Sequence, residues 1–176
     1  REPLVVERLS CSGNGFDAVR DPLGRSATRL TGTFHIVTMP MAARRAIVQA
    51  VESAGLEVMQ LRFSLTAIAA AVAGECSQGR LLLIDIGGLN TDVGVFVEGQ
   101  LRSAKTVPWG GLSFALEIAR TLSTTVEQAV TMSLQGLASR KPEVRQFLEH
   151  ALAPLQKAIE QMLKGGPLPD TVLATG

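Results

Sequence analysis

Cysteine, histidine, net charge and long apolar runs are all scarce in this chain, and each scarcity closes off a class of function. Cys11 and Cys76 stand far apart without metal-ligand spacing. Two ordinary thiols in a reducing compartment fit that pattern, and a disulfide framework or zinc ribbon does not. His35 lies in an alternating segment that reads as a strand, where a structural role suits it. His150 lies in a segment that reads as a solvated helix face. Neither belongs to a Ser-His-Asp or Cys-His arrangement or a spaced ligand cluster, so the sequence names no catalytic residue. Seventeen Lys and Arg balance sixteen Asp and Glu, for a formal charge of +1. The densest basic pairs, Arg44-Arg45 and Arg140-Lys141, are too small for a nucleic-acid footprint. The longest apolar stretch, Leu65–Ala73, is far too short to cross a bilayer.

What is present reads as globular. Of 176 residues, 46% are hydrophobic, enough for one or two compact domains and too many for disorder. The chain starts at Arg1 rather than at Met and stops at Gly176 directly after an apolar stretch. It is therefore expected to be a piece of a longer protein, lacking both termini.

Apart from Leu4–Val6, the first thirty residues carry Gly, Asn, Asp and Pro, and Gly13–Ser26 reads mostly as loop. Thr33–Thr38 alternates and is β-branched, which predicts a strand. Pro40 suits the first turn of a helix running to Ala54, with Ala43, Ile47, Ala50, Val51 and Ala54 on one face and Gly55 as its stop. Leu56–Phe63 alternates again and predicts another strand. Ser64 is placed to cap an Ala-rich helix ending at Gly74. Arg80–Ile86, Asp92–Val97 and Leu101–Val107 then predict three consecutive strands, the last two joined by Glu98-Gly99. A helix is expected over Ser113–Leu122, and Thr124 with Glu127 forms a capping box for the next. A long helix is expected from Pro142 to Lys164, kinked at Pro154, and Thr171–Ala174 opens a last strand.

The chemistry concentrates in Leu82–Asp92, which reads L-L-I-D-I-G-G-L-N-T-D. An apolar strand ends in Asp85, a Gly-Gly pair follows, and Asp92 opens a second apolar run. A turn stripped of side chains can aim successive N–H groups at one anion. Asp85, at its strand end, is placed to hold Mg²⁺, through water or directly. The plainer reading is a tight hairpin whose Asp caps the turn. Gly87 and Gly88 serve either reading; Thr91 could add a hydroxyl, and Asp92 suits a bracing role. Gly110 and Gly111 precede a helix and could present an anion site or permit close packing beside a cleft. Trp109 next to them suits packing or contact equally.

Several stretches, in order, resemble the bacterial cell-division family FtsA. Asp21–Leu30, D-P-L-G-R-S-A-T-R-L, is similar to the family's D-P-L-G-M-x-G-x-R-L. His35–Thr38 and Ala54–Val58 follow as H-I-V-T and A-G-L-E-V. Asp85–Asp92 is similar to D-I-G-G-G-T-T-D, and Val107–Gly111 followed by Glu117–Ala119 to I-P-x-G-G and D-I-A. The resemblance implies a partial α/β chain of the actin-like (ribonuclease H-like) ATPase fold. Residues 1–63 would form part of a strand-helix-strand-strand insertion subdomain, and 64–176 an actin-like subdomain with the second phosphate loop. Asp85, Gly87, Gly88, Leu89, Asn90, Thr91, Gly110, Gly111 and Gly176 would then border a nucleotide, with Gly176 opening the adenosine loop.

The resemblance further implies ATP and Mg²⁺ in the full-length parent, with none expected on this fragment, which lacks the first phosphate loop. The parent would be at most a weak ATPase and the fragment inactive. FtsZ and other division proteins would be partners, filaments the assembled form, and the inner face of the plasma membrane the location, reached through a segment absent here. Departures stand beside the match. Leu89 replaces a loop glycine and is expected to resist a positive φ. Asn90 replaces a threonine, and Val130 and Ser133 occupy the positions aligned with adenosine-contacting Glu and Lys. The stretch from Leu122 to Leu152 is shorter than in FtsA and closer to PilM, a type IV pilus platform protein that binds a membrane partner's peptide. A phosphotransferase or chaperone-type ATPase on the same fold would need a catalytic acid or base, and none is visible.

Overall fold

The computed structural model describes residues 1–72, 79–136, 144 and 151–176. Two sheets organise them. The first, in order β2-β1-β3, contains β1 (Glu2–Gly13), β2 (Phe16–Val19) and β3 (Leu30–Met39), all antiparallel neighbours. Helix α1 (Met41–Ser53) follows β3, entered through Pro40 and stopped before Gly55 at φ +78°. The second sheet has the order β6-β5-β4-β7, built from β4 (Arg80–Ile86), β5 (Thr91–Val97), β6 (Gln100–Val107) and β7 (Thr171–Thr175). Strands β4 to β6 form the antiparallel meander expected from the sequence, and β7 joins β4 in parallel.

Each face of the second sheet carries its own core. Helix α2 (Ser64–Ala71) lays Leu65 against Leu81, Leu83, Phe96 and Leu101. On the opposite face, α5 (Ala153–Leu163) packs Leu155 and Ala158 against Leu82, Val93, Val95 and Val107, with Trp109 alongside. The strict alternation along β4 and β5 makes this possible, because successive side chains go to opposite faces. A third cluster joins α3 (Gly111–Leu122) to α4 (Val126–Leu134) through Ala115, Ile118, Ala119, Ala129 and Val144. The two sheets meet where the Leu101 N–H donates to the Glu7 carboxylate at 2.8 Å. Among the described residues, no helix is long and apolar enough to cross a membrane.

Several expectations need correction. Gly13–Ser26 is mostly loop as expected, but it also holds an unexpected short strand: β1 runs to Gly13 and turns through Asn14-Gly15 into β2. Leu56–Phe63 is not a strand. Its alternation puts Phe63 against the α2-side core, but no strand pairs with it, and a strand without a ladder leaves its backbone groups to water. Ser64 is the first residue of α2 rather than its cap. The cap position belongs to Phe63, and the Ser64 hydroxyl turns to Asp92 instead. The capping box of α4 is shifted by one residue, to Thr125 and Gln128, whose side chains exchange bonds with each other's N–H. Pro154 sits in the first turn of α5, where its missing N–H costs nothing; most of the expected helix before Ala151 lies outside the described residues. Gly74, Cys76, Arg140, Lys141, Pro142 and His150 lie outside the described residues.

Candidate functional site

Strands β4 and β5 are joined by the loop Gly87–Asn90, closed by a bond from the Gly87 N–H to the Asn90 carbonyl at 2.9 Å. All four loop residues are exposed, Leu89 at 67%. None has a positive φ, so Leu89 fits without the strain its side chain was expected to bring. The N–H groups of Gly88, Leu89 and Asn90 have no bonding partner among the described residues. Three successive free donors at a strand end offer a binding place for one phosphate-like anion.

The loop's carbonyls, in contrast, are taken. The N–H of Gly111 donates to the Gly87 oxygen at 3.0 Å, and that of Leu112 to the Gly88 oxygen at 2.8 Å. These are the first two amides of α3, so two of the donors that could have held an anion are taken by the loop. Gly110 makes the approach possible: a Cβ there would lie 2.4 Å from the Gly87 oxygen and 2.7 Å from the Gly88 oxygen. Close packing, one of the two readings of Gly110-Gly111, is the geometry found. Gly176 also reaches the loop's base, since a Cβ on it would lie 2.1 Å from the Ile86 oxygen.

The acidic pair divides into two environments. Asp85 is half-buried, stands across from Asp92 on β5 and Thr175 on β7, and has no side-chain partner among the described residues. Asp92 accepts from the Thr106 hydroxyl on β6, and from Ser64 on α2 at 3.4 Å. Like charges directly opposed across a sheet repel, and the hydroxyls relieve only Asp92. Asp85 is thus left as the carboxylate able to face a cation or its water. Among the described residues no three His, Cys, Asp or Glu gather into a metal site. Among the described residues, the free polar groups at this end of the sheet include the loop amides and the Asp85 carboxylate.

Thr91, grouped with the loop by sequence, points elsewhere. It is 0% exposed, and its hydroxyl donates to the Trp109 carbonyl at 2.8 Å. Thr91 and Trp109 therefore fasten the loop to the approach to α3. Val130 and Ser133 lie together on α4, and the Ser133 hydroxyl is buried without a partner among the described residues. The partners of Asp92 went unseen because Ser64 and Thr106 come from other elements. Register counted back from Val97–Gln100 pairs Asp92 with Lys105, but a bulge between Val95 and Phe96 shifts the pairing to Thr106.

Comparison with known proteins follows the same outline. A family model described as cell division protein FtsA matches residues 82–161. FtsA of Pseudomonas aeruginosa is 33% identical over 120 residues, covering 68% of this chain and 29% of that protein. FtsA of Buchnera aphidicola (from Acyrthosiphon pisum) is 26% identical over 156 residues, covering 88% and 37%. FtsA of Escherichia coli K12 is 30% identical over 120 residues, with 68% and 29% covered. The chain thus spans about a third of the length of the curated relatives it matches. Among solved structures, a PilM–PilN type IV pilus biogenesis complex matches at a TM-score of 0.69 and 17% identity, over 98% of this chain and 49% of that one. MreB5 of Spiroplasma citri bound to AMPPNP matches at 0.61 and 17%, over 73% and 49%. The ethanolamine utilization protein EutJ of Carboxydothermus hydrogenoformans matches at 0.59 and 26%, over 78% and 48%.

Proposed function

Because this chain is a relative of the FtsA cell-division proteins carried on an actin-like α/β fold, we propose that it is the part of a division protein that senses a nucleotide phosphate. The observation that carries this reading is the glycine loop at the end of β4, where three successive amides and the Asp85 carboxylate have no partner among the described residues. In the proposal, Gly88, Leu89 and Asn90 hold a phosphate group of ATP through backbone N–H. Asp85 holds Mg²⁺ through water, and Gly176 begins the segment that meets the adenosine. The nucleotide, when bound, supplies a negative charge that differs between triphosphate and diphosphate. No side chain is assigned a catalytic role. Binding favours one arrangement of the whole protein over another, and the difference in affinity between the two sets the size of the switch.

On this reading the first sheet with α1, within residues 1–63, takes the place of the insertion subdomain, and residues 64–176 belong to the actin-like body. The whole protein polymerises, contacts FtsZ and other division proteins, and works at the inner face of the plasma membrane. The likeness to PilM, at 17% identity, concerns the fold alone, whereas the identity to FtsA proteins reaches 33%. A pilus-platform role is therefore the alternative outcome of the test. The full-length protein containing this chain is imaged by negative stain on lipid vesicles with ATP and Mg²⁺, and located in dividing cells as a fluorescent fusion. Filaments on lipid and a band at the division site are expected. Their joint absence, with enrichment at pilus assembly sites, would overturn the division reading in favour of the platform.

A further inference from the structure

Two short turns connect the meander, and they are stabilised differently. Glu98 and Gly99, between β5 and β6, both have positive φ, +50° and +73°. That is the primed turn whose twist matches an antiparallel pair, and it holds by its own geometry. The four-residue loop Gly87–Asn90 between β4 and β5 has no positive φ, and a hairpin loop of that length does not require one. Its carbonyls at Gly87 and Gly88 are held from outside, by the Gly111 and Leu112 amides. Beside them, Thr91 binds the Trp109 carbonyl, and Trp109 packs with the α5-side core. Beyond the contact, α3 and α4 share a core of their own, distinct from the cores on the two sheet faces.

We propose that the start of α3 is a latch on the loop, so that a displacement of Gly87–Asn90 carries the α3–α4 pair with it. The arrangement is reciprocal. The helix start holds two of the loop's carbonyls in place, and those carbonyls satisfy amides that a helix start otherwise leaves to water. The free donors at Gly88, Leu89 and Asn90 lie on the same short segment as the bound carbonyls, so an anion that repositions the amides must also reposition the carbonyls. The two-bond latch transmits the change to α3 and, through Ala115, Ile118, Ala119 and Ala129, to α4. The mechanical coupling needs no ligand; its use as a switch rests on reading the loop as a phosphate site.

Hydrogen exchange by mass spectrometry on the full-length protein tests it with two variants. Gly110→Ala pushes a methyl into the loop oxygens. Leu112→Pro deletes one latch donor in the first helical turn, where proline is tolerated. Without ligand, both variants are expected to speed exchange at least tenfold across residues 111–134, with strands β4 and β5 unchanged. Unchanged exchange across 111–134 in both, or acceleration spread evenly into the strands in both, overturns the latch. Adding ATP and Mg²⁺ should slow exchange in the loop and in α3–α4 of the unaltered protein, but only in the loop of Leu112→Pro. Equal slowing of α3–α4 in that variant also overturns it. If ATP slows nothing in the unaltered protein, the phosphate reading fails while the ligand-free comparison still decides the latch.

Discussion

Thr91 shows how a single side chain changes meaning once its surroundings are known. In the sequence it is a hydroxyl within a glycine loop; in the structure it is a fully buried fastening between β5 and Trp109. Thr91→Val keeps the shape and deletes the donor, leaving the Trp109 carbonyl without that bond. A loss of about 1–3 kcal/mol is expected, read as a lower denaturation midpoint at unchanged slope. An unchanged midpoint would show that the bond contributes nothing. Leu89 makes the complementary point. Its expected conflict with a left-handed backbone disappears because the loop has no left-handed residue. The pairing of Asp92 with Thr106 was equally hidden, since one bulge moves the register by a residue.

At the scale of elements, local signals were legible where they act locally. The three strands of the meander follow from alternation, and α1 from Pro40 and Gly55 at its ends. The β1–β2 turn also had a local signal, Asn14-Gly15 between the paired residues Gly13 and Phe16, and an Asn-Gly pair is a strong hairpin cue. The surrounding Gly, Asp and Pro masked it. Leu56–Phe63 failed for the opposite reason, because alternation describes one face of a strand and cannot supply a neighbour. The α4 cap is a sharper case: Thr124 and Thr125 both precede acceptable partners, and geometry selects Thr125 with Gln128. Thr125→Ala is expected to cost about 1 kcal/mol, seen as a lower melting temperature, whereas removing the Glu127 carboxylate by Glu127→Gln should cost less. Equal losses from the two substitutions would contradict the shifted box.

At the scale of the molecule, the loop offers donors for one phosphate, and that limits what this chain can bind by itself. The 176-residue chain is expected to bind ATP at about millimolar affinity or weaker. Calorimetry giving a micromolar dissociation constant would show that the second phosphate loop suffices alone. Helix α1 sets a related limit, for the apolar face expected of it holds no buried residue, and Ile47 remains exposed. The ordered motifs carried the likeness to FtsA. The helix expected from Ser113 starts two residues earlier, at Gly111, but the sequence by itself determined the β4–β6 meander, the entry to α1 at Pro40 and the position of the glycine loop. Those depend on periodicity, turn chemistry and residues close together along the chain. Only the tertiary structure decided that the Gly111 and Leu112 amides belong to the loop carbonyls and that Thr91 turns inward. Among the described residues it also left Asp85 without a side-chain partner, across from a satisfied Asp92. Each of these assigns a polar group to a partner from another element, and hydrophobic alternation carries no information about which donor meets which acceptor.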